Sequence, residues 1–127
     1  MRSKPVPMLV VYRPRRGKER ALHALLRRHG KALRAAGLAG DEPFRLLHCR
    51  GKRGGVFFVE TFAWADATAS DRAHEDPAVL AVWSPMEDLL EGMDIAYRGA
   101  EAITAAGRGA FRKATPARLG SRRRVRG

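Results

Sequence analysis

One carboxylate, Glu60, stands inside a stretch that is mostly apolar on both strand faces, GGVFFVETFAW from Gly54 to Trp64. Side chains alternate faces along a strand, so Val56, Phe58, Glu60 and Phe62 share one face and Phe57, Val59 and Thr61 the other. An acid on an otherwise apolar face is a base or orienter held away from water, or a strand-end residue paired with an arginine or capping a helix. Histidines are its natural partners in proton transfer, and the chain has four. His29 falls on the apolar stripe of a helical segment, where a satisfied core histidine is the alternative to a cavity ligand. His48 shares a strand parity with Phe44 and Leu46, and if that parity faces the helices it lines one pocket with His29. His74 sits at the end of a short helical stretch, where it either does chemistry or bonds the Asp76 turn, and His23 belongs to the surface.

Other chemistries find no footing. The chain contains no H-E-x-x-H, no G-x-S-x-G and no dinucleotide fingerprint, and GKRGG at 51–55 lacks the spacing and following helix of a phosphate loop. The lone Cys49 excludes a disulfide framework and a Cys-rich zinc site. The adjacent residues of HED at 74–76 point in different directions on a helix. No metal is expected.

The elements that must position these residues follow from periodicity. Met8 to Arg13 is a continuous apolar, β-branched strand, ended by Pro14. From Lys18 to Ala36, Leu22, Leu25, Leu26, His29, Leu33 and Ala36 recur at helical spacing. Pro43 to Arg50 reads as a second strand, GKRGG as a hairpin loop and residues 55–62 as a third strand. Asp66 caps a short helix running to about His74, and Asp76 with Pro77 starts another. Ser84, Pro85 and Glu87 form a capping box for a further helix that Gly92 ends, and Met93 to Arg98 is a fourth strand. The order β-α-β-β-α-β is the split βαβ, ferredoxin-like α+β unit with a four-stranded antiparallel sheet.

The net charge of +12 is spread unevenly: +6 in residues 1–20, −2 in 21–97 and +8 in 98–127. Residues 1–98 are therefore expected to form a nearly neutral globular domain, and residues 99–127 a basic, mostly disordered tail with one weak turn near 100–106. SRRRVRG at the end can neutralise nucleic-acid phosphates, against the simpler reading of a solvated tail. No apolar run reaches membrane-helix length, and the N-terminal apolar run is too short for a secretion signal and lacks a cleavage site. A soluble cytoplasmic protein without membrane association is expected.

In the split βαβ unit both helices cover one side of the sheet. Yet strands one and three carry apolar residues on both parities, Leu9 and Val11 as well as Met8, Val10 and Tyr12, and strand four adds Met93, Ile95 and Tyr97. Leaving about six such side chains bare costs roughly 1.5–3 kcal/mol each, comparable with the whole stability of a small domain. A homodimer closed sheet face to sheet face is the simplest remedy.

The element order, the strand end FFVETFAWAD and the helix AHEDPAVLAVW together resemble the antibiotic biosynthesis monooxygenase family of dimeric α/β barrels. The resemblance covers about residues 8–97, with Glu60, Asp66, His74 and Asp76–Pro77 matching its pattern of strand-end Glu, acidic helix start, His and Pro break. It implies a homodimer, a cavity between helices and sheet for an aromatic small molecule, and oxidation of a quinol-like substrate without metal, flavin or haem. Glu60 and His74 then fall in catalytic positions, and His29, His48, Phe62, Trp64 and Trp83 line the substrate cavity. The family's Glu-x-Trp is Glu-x-Phe here, with the tryptophan at 64, and AVLAVW has no axial histidine for haem degradation. A non-catalytic ligand-binding or interaction dimer on the same scaffold is the alternative.

Overall fold

The computed structural model describes residues 4–99. The tail expected from the sequence lies, beyond Gly99, outside the described residues. The elements are β1 (Val6–Pro14), α1 (Glu19–Ala35), β2 (Arg45–Arg50), β3 (Val56–Trp64), α2 (Ala69–Ala73), α3 (Pro77–Met86), a 3-10 turn (Glu87–Leu89) and β4 (Leu90–Tyr97). The strands form one antiparallel sheet in the order β2-β3-β1-β4. That is the ferredoxin-like split βαβ arrangement expected from the pattern. No described helix is long and apolar enough to cross a membrane.

Period two decides which side each strand residue faces. Val10 pairs with Glu60, Tyr12 with Phe58 and Met8 with Phe62, so these six share the face under the helices. Five of them with Trp64 join α1 residues Leu22, Leu25, Leu26 and Leu33 and α3 residues Val79, Val82 and Met86 in one core, with Glu60 buried among them. α1 and α3 pack against each other above the sheet. On the open face Leu9, Val11, Phe57 and Val59 are only half covered and Leu47 is exposed.

Strand four departs from expectation in register and in facing. It starts at Leu90, so Gly92 lies within the strand instead of ending a helix. Its pairs Tyr12–Met93, Val10–Ile95 and Met8–Tyr97 put those apolar residues on the helix side. Ile95 and Tyr97 are exposed there because the helices stop short of this edge.

Pro85 is the second correction. It does not open a new helix behind a Ser84 cap but sits inside α3. An internal proline removes one backbone bond. It is tolerated because Val82 and Met86, one turn apart, keep the last turn anchored in the core. Asp76 does cap α3, accepting from the amides of Ala78 and Val79, with Pro77 in the first turn. Asp66 is no helix cap: it accepts from the amide and hydroxyl of Thr68, and α2 starts at Ala69. Those Thr68 bonds, helped by Arg72, hold the Asp66 carboxyl below the usual carboxylate range.

Candidate functional site

Three elements converge on the Glu60 carboxylate. β3 carries Glu60 at its centre, β1 brings Tyr12 from the neighbouring strand, and α1 hangs His29 from its buried stripe. The Tyr12 hydroxyl donates to Glu60 Oε1 at 2.7 Å. His29 Nδ1 lies 2.9 Å from Oε2 and 3.2 Å from Oε1. On the far side of the imidazole the Trp83 indole N–H donates to His29 Nε2 at 3.0 Å. An indole nitrogen can only donate, so Nε2 carries the lone pair and the ring proton on Nδ1 points at Glu60. Both Glu60 oxygens therefore serve as acceptors in this chain of bonds.

Glu60 is 2% exposed and His29 3%. A carboxylate this deep is tolerable only when its lone pairs are met. Burial first, and then the Glu60 charge beside it, push the Tyr12 phenol well above its usual value. Tyr12 therefore serves as a proton-holding donor to Glu60.

His29, Tyr12 and Trp83 open on their other side onto a cavity of about 410 Å³. Its walls are mostly apolar: Met8, Val10, Phe62, Trp64, Met86 and Met93 among them. His74 stands at its exposed rim, edge-on to Trp83 with centroids 4.8 Å apart. His74 Nδ1 is 2.8 Å from the Ser70 carbonyl, which requires the proton on Nδ1. Nε2 is then the basic nitrogen, and no described residue is hydrogen-bonded to it.

The sequence-derived candidates thus separate. His29, Phe62, Trp64, His74 and Trp83 all line the large cavity. Glu60 does not reach its surface and acts on it through Tyr12 and His29. His48 meets the condition of facing the helix side, paired with Phe58, but it lies on the edge strand β2, exposed and away from the cavity. Tyr12 was missed as a site residue because its strand parity marks it as core. The signal available was its hydroxyl, which needs a partner once buried. Among the described residues no three His, Cys, Asp or Glu side chains cluster as a metal site would need.

Fold and site together define a ferredoxin-like α+β domain with a half-open apolar cavity and a hydrogen-bonded acid–imidazole–indole chain in its wall. No protein-family model matches the chain, and no curated protein matches it in sequence. Solved structures do match. The Pseudomonas aeruginosa protein PA3566 superposes with a TM-score of 0.63 at 20% identity, over 80% of this chain and 99% of that one. SnoaB from Streptomyces nogalater, described as a cofactor-independent oxygenase, gives 0.57 at 15% identity, over 81% and 99%. A structure described as an antibiotic biosynthesis monooxygenase gives 0.60 at 12% identity, over 76% and 99%. At these identities the shared property is the fold, and function rests on the site.

Proposed function

We propose that this chain is an antibiotic biosynthesis monooxygenase-type enzyme that oxidises a quinol-like or aromatic small molecule with O2 and no cofactor. The observation that carries this reading is the open Nε2 of His74 at the rim of an apolar cavity. An apolar cavity of about 410 Å³ suits a planar aromatic, for which Phe62, Trp64 and Trp83 supply walls. His74 takes the phenol proton, and the phenolate is electron-rich enough to reduce O2. A bond forms between oxygen and an unsubstituted ring carbon. The O–O bond then breaks, the ring carbon loses its proton, and the products are a quinone and one water. The substrate supplies all the electrons, and one oxygen atom enters the product. Glu60 is a positioning residue: it fixes Tyr12 and His29 in the cavity wall.

The functional unit in this reading is a homodimer joined through the open sheet face. Its support is the apolar character of Leu9, Val11, Phe57, Val59 and Leu47 on that face. Asp94 stands there too, buried, paired through Oδ2 to Arg13, with Oδ1 lacking any hydrogen-bond partner. Val59→Asp should convert a dimer to monomers in sedimentation velocity.

Oxygen uptake with a panel of hydroquinones and polycyclic phenols tests the chemistry. His74→Ala is expected to lower kcat about 10²-fold or more, with labelled O2 delivering one atom to the product. A non-catalytic ligand-binding dimer is the second reading, favoured by the internal pairing of Glu60, His29 and Trp83. Tight binding of an aromatic ligand with no uptake from any substrate would establish it instead.

A further inference from the structure

The near-neutral middle of the chain conceals a split. Residues 20–53 carry nine lysines and arginines against Asp41 and Glu42, whereas residues 54–97 carry nine acidic residues against Arg72. The fold gathers the positive half. Arg20, Arg27, Lys31 and Arg34 follow one another at intervals of seven, four and three residues along α1, a stripe about 21 Å long at 1.5 Å per residue. This stripe lies opposite the buried His29.

Arg27, Lys31 and Arg34 meet Arg45 of β2 around a second groove, of about 230 Å³. Leu26, Gly30, Phe44, Leu46 and Glu60 complete its lining. All four cations are exposed, and none forms an ion pair with a described residue. Arg34 only lies over the Phe44 ring, 5.2 Å from its centroid.

Helix stability does not account for this arrangement, because like charges one turn apart oppose it. Glu60 does not account for it either. That carboxylate already accepts from Tyr12 and His29 and offsets one positive charge, which leaves three. Guanidinium forks around a concavity fit the oxygens of a phosphate group. We propose that the groove between α1 and β2 binds a small ligand bearing at least two phosphate charges, such as a phosphate ester or a diphosphate. The groove has room for a diphosphate-sized group and leaves the remainder of the molecule in solvent. A single-stranded nucleic acid fits less well, since the one aromatic ring among the described residues that line the groove, Phe44, is not free to stack on its bases. Phe44 is stacked on Phe62 with centroids 4.9 Å apart, and α1 presses on it at Gly30.

Titration calorimetry of the full chain with inorganic pyrophosphate at fixed ionic strength tests the site. One ion should bind per chain. The Arg27→Gln/Arg34→Gln pair should weaken binding by about tenfold or more, the equivalent of one step of 1.4 kcal/mol. Lys31→Gln alone should weaken it by less. Arg16→Gln/Arg53→Gln removes the same charge outside the groove and should leave the affinity close to wild type. Thermal unfolding of each variant separates a lost site from a lost fold. Equal weakening by both double variants would overturn the proposal, because the attraction would then be diffuse. So would the absence of saturable pyrophosphate binding, or binding of a DNA oligomer alone.

Discussion

Trp83 donates its indole N–H to Nε2 of His29 at 3.0 Å, and so determines which nitrogen of that imidazole bears the proton. A residue of α3 thereby sets the tautomer of a residue of α1, which in turn holds a carboxylate on β3. The chain of bonds links three elements, two helices and the sheet beneath them.

Replacing Trp83 by Phe keeps an aromatic wall and deletes the donor. The expected cost is about 1 kcal/mol of stability, the net worth of one hydrogen bond. Imidazole nitrogen chemical shifts should change from a single Nδ1–H form of His29 in the wild type to a mixture in the variant. A single unchanged tautomer would show that Glu60 alone fixes the ring.

Glu60 and Tyr12 should prove energetically coupled. Glu60→Leu leaves the Tyr12 hydroxyl and the His29 N–H buried without an acceptor, at about 1–3 kcal/mol for each orphaned group. Tyr12→Phe in the wild-type background costs about 1 kcal/mol, but in the Glu60→Leu background it should cost little or even stabilise. A double-mutant cycle by urea unfolding should give a coupling of about 0.5–3 kcal/mol. Strict additivity would dissolve the network.

Alkaline pH should destabilise the fold through Tyr12. Its phenol is held well above the ordinary value of 10.0 in the folded chain, by burial and then by Glu60. The unfolded chain therefore releases this proton first. Stability from this group is complete below about pH 10 and declines as pH rises above it toward the folded value. Phenolate absorbance in a Tyr97→Phe background isolates Tyr12, which should ionise only together with unfolding. Tyr12→Phe should flatten the alkaline limb of the stability curve.

Gly30 stands mid-helix, where alanine would ordinarily gain about 0.8–1.0 kcal/mol. A Cβ there would lie 3.0 Å from Cγ of Phe44. Phe62 is stacked on that ring with centroids 4.9 Å apart, which restricts its retreat. Gly30→Ala is therefore expected to lower the stability, overpacking of this kind costing about 1–3 kcal/mol. Gly30→Ala/Phe44→Leu should recover the helical gain. A rise in Tm for Gly30→Ala alone would mean that Phe44 moves freely.

Much of this architecture was legible in the sequence, for reasons that also mark the limit. The stripe Leu22, Leu25, Leu26, His29 and Leu33 fixed both the existence of α1 and the inward facing of His29. Period two grouped Glu60 with Val56, Phe58 and Phe62 and predicted an open second face, while the β1–β3 register shows that the Glu60 face is the inner one. Parity groups residues on a face but gives neither which face is covered nor a lateral position, so His48, although on the helix side, falls at the sheet edge away from His29. Local signals also misled at Ser84–Pro85–Glu87, where a capping pattern lies inside a helix that core packing carries through. Tyr12 stayed hidden because its partner is 48 residues away, and only the β1–β3 register brings them together.

Glu60 lies between two compartments: its oxygens meet Tyr12 and His29, which wall the aromatic-lined chamber, and the residue itself also lines the basic groove. One buried charge is thus a shared partition. A substitution in the groove that shifts Glu60 should therefore be felt in the cavity wall, through the hydrogen bonds that this residue makes with Tyr12 and His29.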